Sequence, residues 1–220
     1  WEEVSMKYSI CEKLMWFALA APSFQYLKQQ AEAVDKKKAK KIFHQMAART
    51  PDIGSLRENP LRMCLAGGMV WLSIYEAADG KMDESRFGEM VEKSMASPLV
   101  MAAFKGKSKT AFTIEAQQKR ADTAAKTAPL AKDNPFQWDT EVILGRDAEE
   151  YTINYHQCGL CALGRQEGLF HLVPHMCVLD IMSVDWMGGV LHRTKTLATG
   201  GDCCDFYICK KGSQWDVERH

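Results

Sequence analysis

The hydrophobic period changes once along this chain, and that change limits the fold more than any single motif does. Up to about residue 126, apolar residues recur at helical spacing: Val4, Tyr8, Cys11, Met15 and Ala18, then Phe24, Leu27, Ala31 and Val34. Asn59-Pro60 reads as a cap followed by a first-turn proline. It opens a stretch over 61–75 that is apolar nearly all round, the mark of a central helix, where Gly67-Gly68 leaves room for a neighbour. Asp83 caps a helix with Phe87, Met90, Val91 and Met95 on one stripe. Ser97-Pro98 starts another through Phe104, and Ser108 one more to about Ala125. Residues 127–136 carry two prolines and no periodicity, so a boundary is expected there.

Beyond it the period becomes two. Residues 138–144 and 151–158 read as strands joined by Gly145-Arg146-Asp147-Ala148. In the second, Tyr151, Ile153 and Tyr155 share one face, and Thr152, Asn154, His156 and Cys158 the other. One or two helices should fill 159–186. Strands over 190–199 and 203–210 should then close round a Gly200-Gly201-Asp202 turn. Strand pairs flanking helices imply an α+β fold, with a helical N-terminal half packed on an antiparallel sheet domain with flanking helices. The expected division is a helical region at 1–126, a linker at 127–136 and an α+β domain at 137–220.

Charge and cysteine follow the same division. The 220 residues hold 28 basic and 28 acidic side chains. Residues 1–136 carry 21 basic and 16 acidic groups, against 7 and 12 in residues 137–220. Neutrality gives no reason to expect nucleic acid, and the Lys36 to Lys41 run, without interleaved aromatics, reads as a solvated helix face. The best apolar run, 14–21, is far shorter than the roughly 18 residues of a membrane span. Glu2, Glu3 and Glu12 oppose a secretory leader, so an amphipathic helix is expected. No membrane partner is anticipated, and the expected location is cytoplasmic. Six of the eight cysteines, Cys158, Cys161, Cys177, Cys203, Cys204 and Cys209, lie in the last third. A chain with so ample an apolar core does not need disulfides, so free thiols are expected.

Three thiol constellations carry chemistry. Cys158-x2-Cys161 with His171-x3-His175 superficially resembles a zinc finger, but nine residues separate Cys161 from His171 where about twelve are usual, and a helix replaces the hairpin. Cys177-x-x-Asp180 spans one helical turn, putting thiol and carboxylate on the same side as nucleophile and base or as two metal ligands. In the segment from Arg193 to Phe206, alternation puts Arg193, Lys195, Leu197 and Thr199 on one face, with Thr194, Thr196 and Ala198 on the other. The returning strand brings Cys204 back near Thr196 or Ala198. A guanidinium binds a carboxylate bidentately, and a thiol beside it can attack an electrophilic carbon.

Taken together, these residues resemble the L-2-amino-thiazoline-4-carboxylic acid hydrolase family. The resemblance rests on Asn154 and Cys158 at a strand end, Gly168-Leu169, Cys177 and Asp180, and the Arg193 to Phe206 segment, its most specific part. It covers residues 151–209, and the helical half carries no matching motif. Cys161, Cys203 and the two histidines look like additions. The ending from Gly200 to Phe206 also resembles the vinyl-reductase-type (V4R) small-molecule-binding domain, implying an antiparallel sheet with a ligand pocket against helices. The family implies a hydrolase that opens a thiazoline or related cyclic amidine ring to a carbamoyl-cysteine-type product. The alternative is a non-enzymatic small-molecule sensor of V4R type. On the hydrolase reading, Cys177 or Cys204 is the nucleophile, Asp180 manages protons and Arg193 clamps the substrate carboxylate. Asn154 and Thr196 orient the substrate, and Cys158 completes the wall. No cofactor is fixed by the sequence; a divalent metal such as zinc on Cys158, Cys177 and Cys204 is the mechanistic variant. The partner expected is a small molecule, and a homo-oligomer is left open.

Overall fold

The computed structural model describes residues 9–217. In chain order these form α1 (Ile10–Gln29), α2 (Lys36–Arg49), α3 (Arg62–Ala77), α4 (Glu84–Met95), α5 (Pro98–Lys105), α6 (Ser108–Ala111), α7 (Ile114–Thr127), β1 (Asp139–Leu144), β2 (Glu150–Gln157), α8 (Gly159–Gln166), α9 (Val173–Trp186), β3 (Gly189–His192), β4 (Cys204–Lys210) and α10 (Gln214–Val217). Short 3-10 turns lie at Ala128–Lys132, Phe170–Leu172 and Leu197–Thr199. The fold is α+β with an antiparallel sheet. Val4 and Tyr8 of the first helical pattern lie outside the described residues. The chain divides into two compact units. One holds the residues through Ser97 with Gly159–Met176; the other holds Pro98–Cys158 and the chain from Cys177 onward. That division falls elsewhere than residues 127–136.

In the first unit α3 is the central helix, with Leu65, Ala66, Met69, Val70, Leu72 and Ile74 shut off from solvent. Asn59 Oδ1 accepts the Leu61 amide at 3.1 Å in the turn before α3. The helix itself begins at Arg62, with Leu61 as a cap residue that makes no side-chain bond, so Asn59-Pro60 forms the entry turn and not the cap and first turn expected. A Cβ on Gly68 would come within 2.3 Å of Leu160 Cδ2, so the missing side chain is what lets α8 pack on α3. The helical spacing through Ala31 and Val34 does not continue as helix. α1 stops at Gln29, Ala31 takes a left-handed φ of 58°, and Asp35 opens α2 by accepting the Lys37 and Lys38 amides. The lysine run then lies on α2 with Lys36, Lys37, Lys40 and Lys41 exposed, while Ala39, Ile42, Phe43, Met46 and Ala47 face the interior.

A buried ion network ties α1 to α3. The Glu12 carboxylate accepts the Ser9 amide at 2.7 Å through one oxygen and Arg62 Nε at 2.8 Å through the other. Arg62 Nη1 donates to Asp52 Oδ1 and to the Gly54 carbonyl, both at 2.5 Å. Burial alone would raise the Glu12 carboxyl, but hydrogen bonds from Ser9 and Arg62 hold it below its ordinary range. Removing one partner strands the other charge in the interior. Arg62→Met should therefore lower unfolding free energy by about 3–5 kcal/mol, and Glu12→Leu in the same chain should recover much of that loss, read by urea denaturation.

The second unit is built on a four-stranded sheet of order β1-β2-β4-β3, antiparallel throughout. Its register pairs Tyr151 with Ile208, Ile153 with Phe206 and Tyr155 with Cys204. These side chains share one face and pack with Val184 of α9, Phe112, Met187, Leu191 and Leu197. The other face is polar, with Asn154 opposite Asp205 and Thr152 opposite Tyr207. Instead of one helix from Ser108, the chain breaks at Phe112, and Thr113 caps α7 by accepting the Ala116 amide. α7 lies against β1, and its Gln117 amide group donates to the Asp147 and Glu150 carbonyls while accepting from Gly145 N, which fixes the β1–β2 turn. Residues 127–136 are pinned at the end of β2, where Gln157 Nε2 donates to the carbonyls of Ala131, Asn134 and Gln137.

The third expected strand, over 190–199, is corrected. Only Gly189–His192 joins the ladder, and the chain then leaves the sheet to form a 3-10 turn at Leu197–Thr199. Asp205 is the cause. Its Oδ1 accepts the amides of Thr194 and Lys195, each at 2.9 Å, so a side chain takes the backbone donors that a longer strand would need. Gly200, with φ at 90°, then turns the chain back toward β4.

Where β2 begins, Glu150 is buried and accepts Arg146 N at 3.0 Å and Nε at 2.6 Å. The Arg146 guanidinium also lies 3.4 Å from the centroid of the Trp215 ring. Hydrogen bonding from Arg146, against the cost of burial, holds the Glu150 carboxyl down at about 2 instead of 4.5. A depressed carboxyl contributes stability that is complete above the unfolded value and lost as pH falls through the folded one. The stability of the wild type should thus decline between about pH 4.5 and pH 2. Glu150→Gln should be less stable at neutral pH and less pH-dependent over that window, as measured by denaturant unfolding at stepped pH.

Candidate functional site

Arg193, one residue beyond β3, brings the candidate groups together. Its Nη1 donates to the Cys177 carbonyl at 2.8 Å and to Asp180 Oδ2 at 3.3 Å. Its guanidinium carbon lies 5.7 Å from the centroid of the Phe206 ring on β4. The arginine therefore links α9, the end of β3 and the inner face of the sheet. Its side chain is only 16% accessible. Nε and Nη2, the edge that grips a carboxylate with two parallel bonds, have no protein acceptor among the described residues.

Asp180 is crowded by protein yet still reached by solvent over 43% of its side chain. Burial pushes its carboxyl up to about 7, against the pull of Arg193. A carboxyl poised there exchanges a proton readily at neutral pH.

Cys177 and Cys204 lie in the same electrostatic neighbourhood, and Cys158 joins them from just past the end of β2. Burial, reinforced by Asp180 and the neighbouring thiols, pushes Cys177 up to about 12. Burial pushes Cys204 up to about 11, although its sulfur accepts the Leu197 amide at 3.2 Å. All eight cysteines are free. At neutral pH Cys177 and Cys204 are protonated, and the charge beside them belongs to Asp180 and Arg193.

Two candidates do not join this group. Asn154 pairs with Asp205, and its amide donates to Glu141 Oε2 at 3.0 Å on the opposite, exposed face of the sheet. Strand alternation puts it there, since Tyr155 and not Asn154 stands opposite Cys204. Thr196 is buried; its hydroxyl is shared with Thr199 at 2.9 Å and its carbonyl accepts the Gly201 amide, so it shapes the turn. Cys158, Cys177 and Cys204 also fail as a ready metal cage. Among the described residues, the group of three or more His, Cys, Asp or Glu side chains whose ligand atoms all lie within 4.8 Å of one another is His192, Cys209 and Asp216. Cys161, His171 and His175 lie in the first unit and form no such group, with His171 beside the Tyr75 ring and His175 Nε2 at 3.7 Å from Glu84.

The grouping of His192, Cys209 and Asp216 was not legible from spacing. It depends on the β3–β4 register and on the turn before α10, and the only local signal is the Lys210 to Ser213 turn that follows a cysteine-bearing strand.

No helix among the described residues is long and apolar enough to cross a membrane. No curated protein and no solved structure matches the chain. Comparison with known families gives a match over residues 65–208, which begins inside α3 and takes in part of the helical region where no motif was recognised. The match spans the whole of the Arg193, Asp180 and thiol arrangement, and the chain belongs to the L-2-amino-thiazoline-4-carboxylic acid hydrolase family.

Proposed function

We propose that the chain hydrolyses a small carboxylated thiazoline, or a closely related cyclic amidine, to a carbamoyl-cysteine-type product. One observation carries this reading: an arginine whose Nε and Nη2 have no protein acceptor among the described residues stands beside a carboxyl group held near neutrality. Arg193 receives the substrate carboxylate through Nε and Nη2. That places the ring carbon between sulfur and nitrogen within reach of Asp180. Asp180, as carboxylate, takes a proton from water as the oxygen adds to that carbon. It gives that proton to the ring nitrogen as the C=N bond becomes single, then takes the hydroxyl proton as the carbonyl forms and passes it to the ring sulfur as the C–S bond breaks. One water is consumed per ring opened.

The elevated thiols favour this route over attack by cysteine. Transfer of a proton from Cys177, at about 12, to Asp180, at about 7, is strongly uphill. Cys177 and Cys204 then serve as a neutral, polarizable wall that Cys158 completes. Asn154 has no part in this scheme, and Thr196 contributes only by shaping the loop.

Steady-state kinetics on L-2-amino-thiazoline-4-carboxylate test the scheme. Asp180→Asn should lower kcat by about 10²–10⁴-fold. The wild-type kcat/KM should rise with pH through an inflection near 7, and the residual kcat/KM of the variant should lack that inflection. Cys177→Ser and Cys204→Ser should each keep at least a tenth of the wild-type kcat/KM. Complete loss in either, with trapping of a thiol adduct, would move the nucleophile to sulfur. Absence of turnover with and without zinc, in protein that retains a carboxylated ligand through purification, would replace the hydrolase with a binding domain. Arg193→Lys should raise KM more than it lowers kcat, because a point charge replaces a two-pronged grip.

A further inference from the structure

The opposite face of the same sheet holds a second set of reactive side chains that hydrolysis does not use. In the β3–β4 register Val190 stands opposite Cys209 and His192 opposite Tyr207, so His192 and Cys209 are diagonal neighbours on one face. After Lys210 the chain turns through Gly212, at a left-handed φ of 74°, into α10, which folds back against β4. That turn returns Asp216 to the two strand residues. One ligand atom from each of the three lies within 4.8 Å of the others.

We propose that His192, Cys209 and Asp216 bind a divalent transition-metal ion of the zinc type. The donor set is the first ground. Imidazole nitrogen, thiolate sulfur and carboxylate oxygen together select zinc and its neighbours over magnesium or calcium, which take oxygen ligands alone. Size is the second. Around a tetrahedral ion with bonds of about 2.0–2.3 Å, ligand atoms stand about 3.3–3.8 Å apart, so atoms already within 4.8 Å need only a small inward shift.

Charge is the third ground. Cys209 has no accessible surface and Asp216 only 9%. Binding expels the thiol proton, and the two positive charges of the ion are then matched by one thiolate and one carboxylate beside a neutral imidazole. The resulting complex is neutral overall, as burial demands. Anchoring is the fourth. The Gly212 amide donates to Asp216 Oδ2 at 2.9 Å, the kind of outer hydrogen bond that orients a ligating carboxylate. The same turn holds Ser213, whose buried hydroxyl has no hydrogen-bond partner among the described residues, so a further oxygen donor stands close in sequence.

Thiol, imidazole and carboxylate also make up a nucleophilic triad, but a sulfur with no accessible surface cannot reach a substrate. A metal ligand needs no such access once the ion is in place.

Titration of the chelator-stripped full chain with Co(II), under exclusion of oxygen, tests the site. One equivalent should bind with a thiolate-to-cobalt charge-transfer band, and Zn(II) should displace it. Cys209→Ser should abolish the band, while Cys177→Ser and Cys204→Ser should keep it. His192→Gln and Asp216→Asn should each weaken Zn(II) binding at least tenfold, and these serve if Cys209→Ser does not fold by circular dichroism. Absence of saturable binding overturns the proposal. So does a band that survives in folded Cys209→Ser, or one lost only in Cys177→Ser or Cys204→Ser.

Discussion

A single guanidinium nitrogen joins three parts of the second unit. Arg193 Nη1 meets both the carbonyl and the carboxylate that one turn of α9 offers, at Cys177 and Asp180, while its flat face lies toward Phe206 on β4. That contact adds a polar tie to the apolar packing of Val184 and Met187 against Leu191 and Leu197. The interaction also sets the chemistry. Burial drives the Asp180 proton affinity up and Arg193 draws it down, so the carboxyl settles near neutrality instead of at either extreme. A substrate carboxylate on the other edge of the arginine would share the same positive charge. It would thereby relax the hold on Asp180 and make it a stronger base when substrate is present.

The two faces of the sheet differ sharply in chemistry. One is lined by Tyr151, Ile153, Cys204, Phe206 and Ile208 and covered by apolar side chains from α9 and its surroundings. Groups packed against such a surface are partly screened from water, which raises the Asp180 carboxyl and the Cys177 and Cys204 thiols above their ordinary values. The other face carries polar pairs and is read by short side-chain hydrogen bonds, among them those of Asp205 and Asn154.

Much of this was legible in the sequence because it depends on local chemistry. Asp83 announced a helix start, the period of two announced β1 and β2, and Cys177 with Asp180 had to share one side of a helix. The failures share one physical origin: they turn on which residues face one another across strands. Alternation over 193–199 looks like a strand, but the carboxylate of Asp205 captures its amides, and nothing local to 193–199 reveals that. The family resemblance assigned Asn154 and Cys204 to one site, but the register pairs Cys204 with Tyr155 and puts Asn154 on the other face. His192, Cys209 and Asp216 are separated by strands and a turn whose closure depends on Gly212 and on Lys211 N bonding to the Gly188 carbonyl. Thiol protonation was equally invisible, because it comes from burial and not from neighbours in sequence.

His192 and Arg193 are consecutive, and one turns toward Tyr207 while the other turns toward Phe206. β3 is only four residues long, so it has no slack in which to absorb an insertion. Adding or deleting one residue between Gly189 and Arg193 would reverse the phase of the strand and send the guanidinium to the wrong side of the sheet. Relatives sharing this chemistry should therefore vary in side-chain identity along this segment but not in its length. In this part of the molecule, parity of residue count is as strict a requirement as the identity of any side chain.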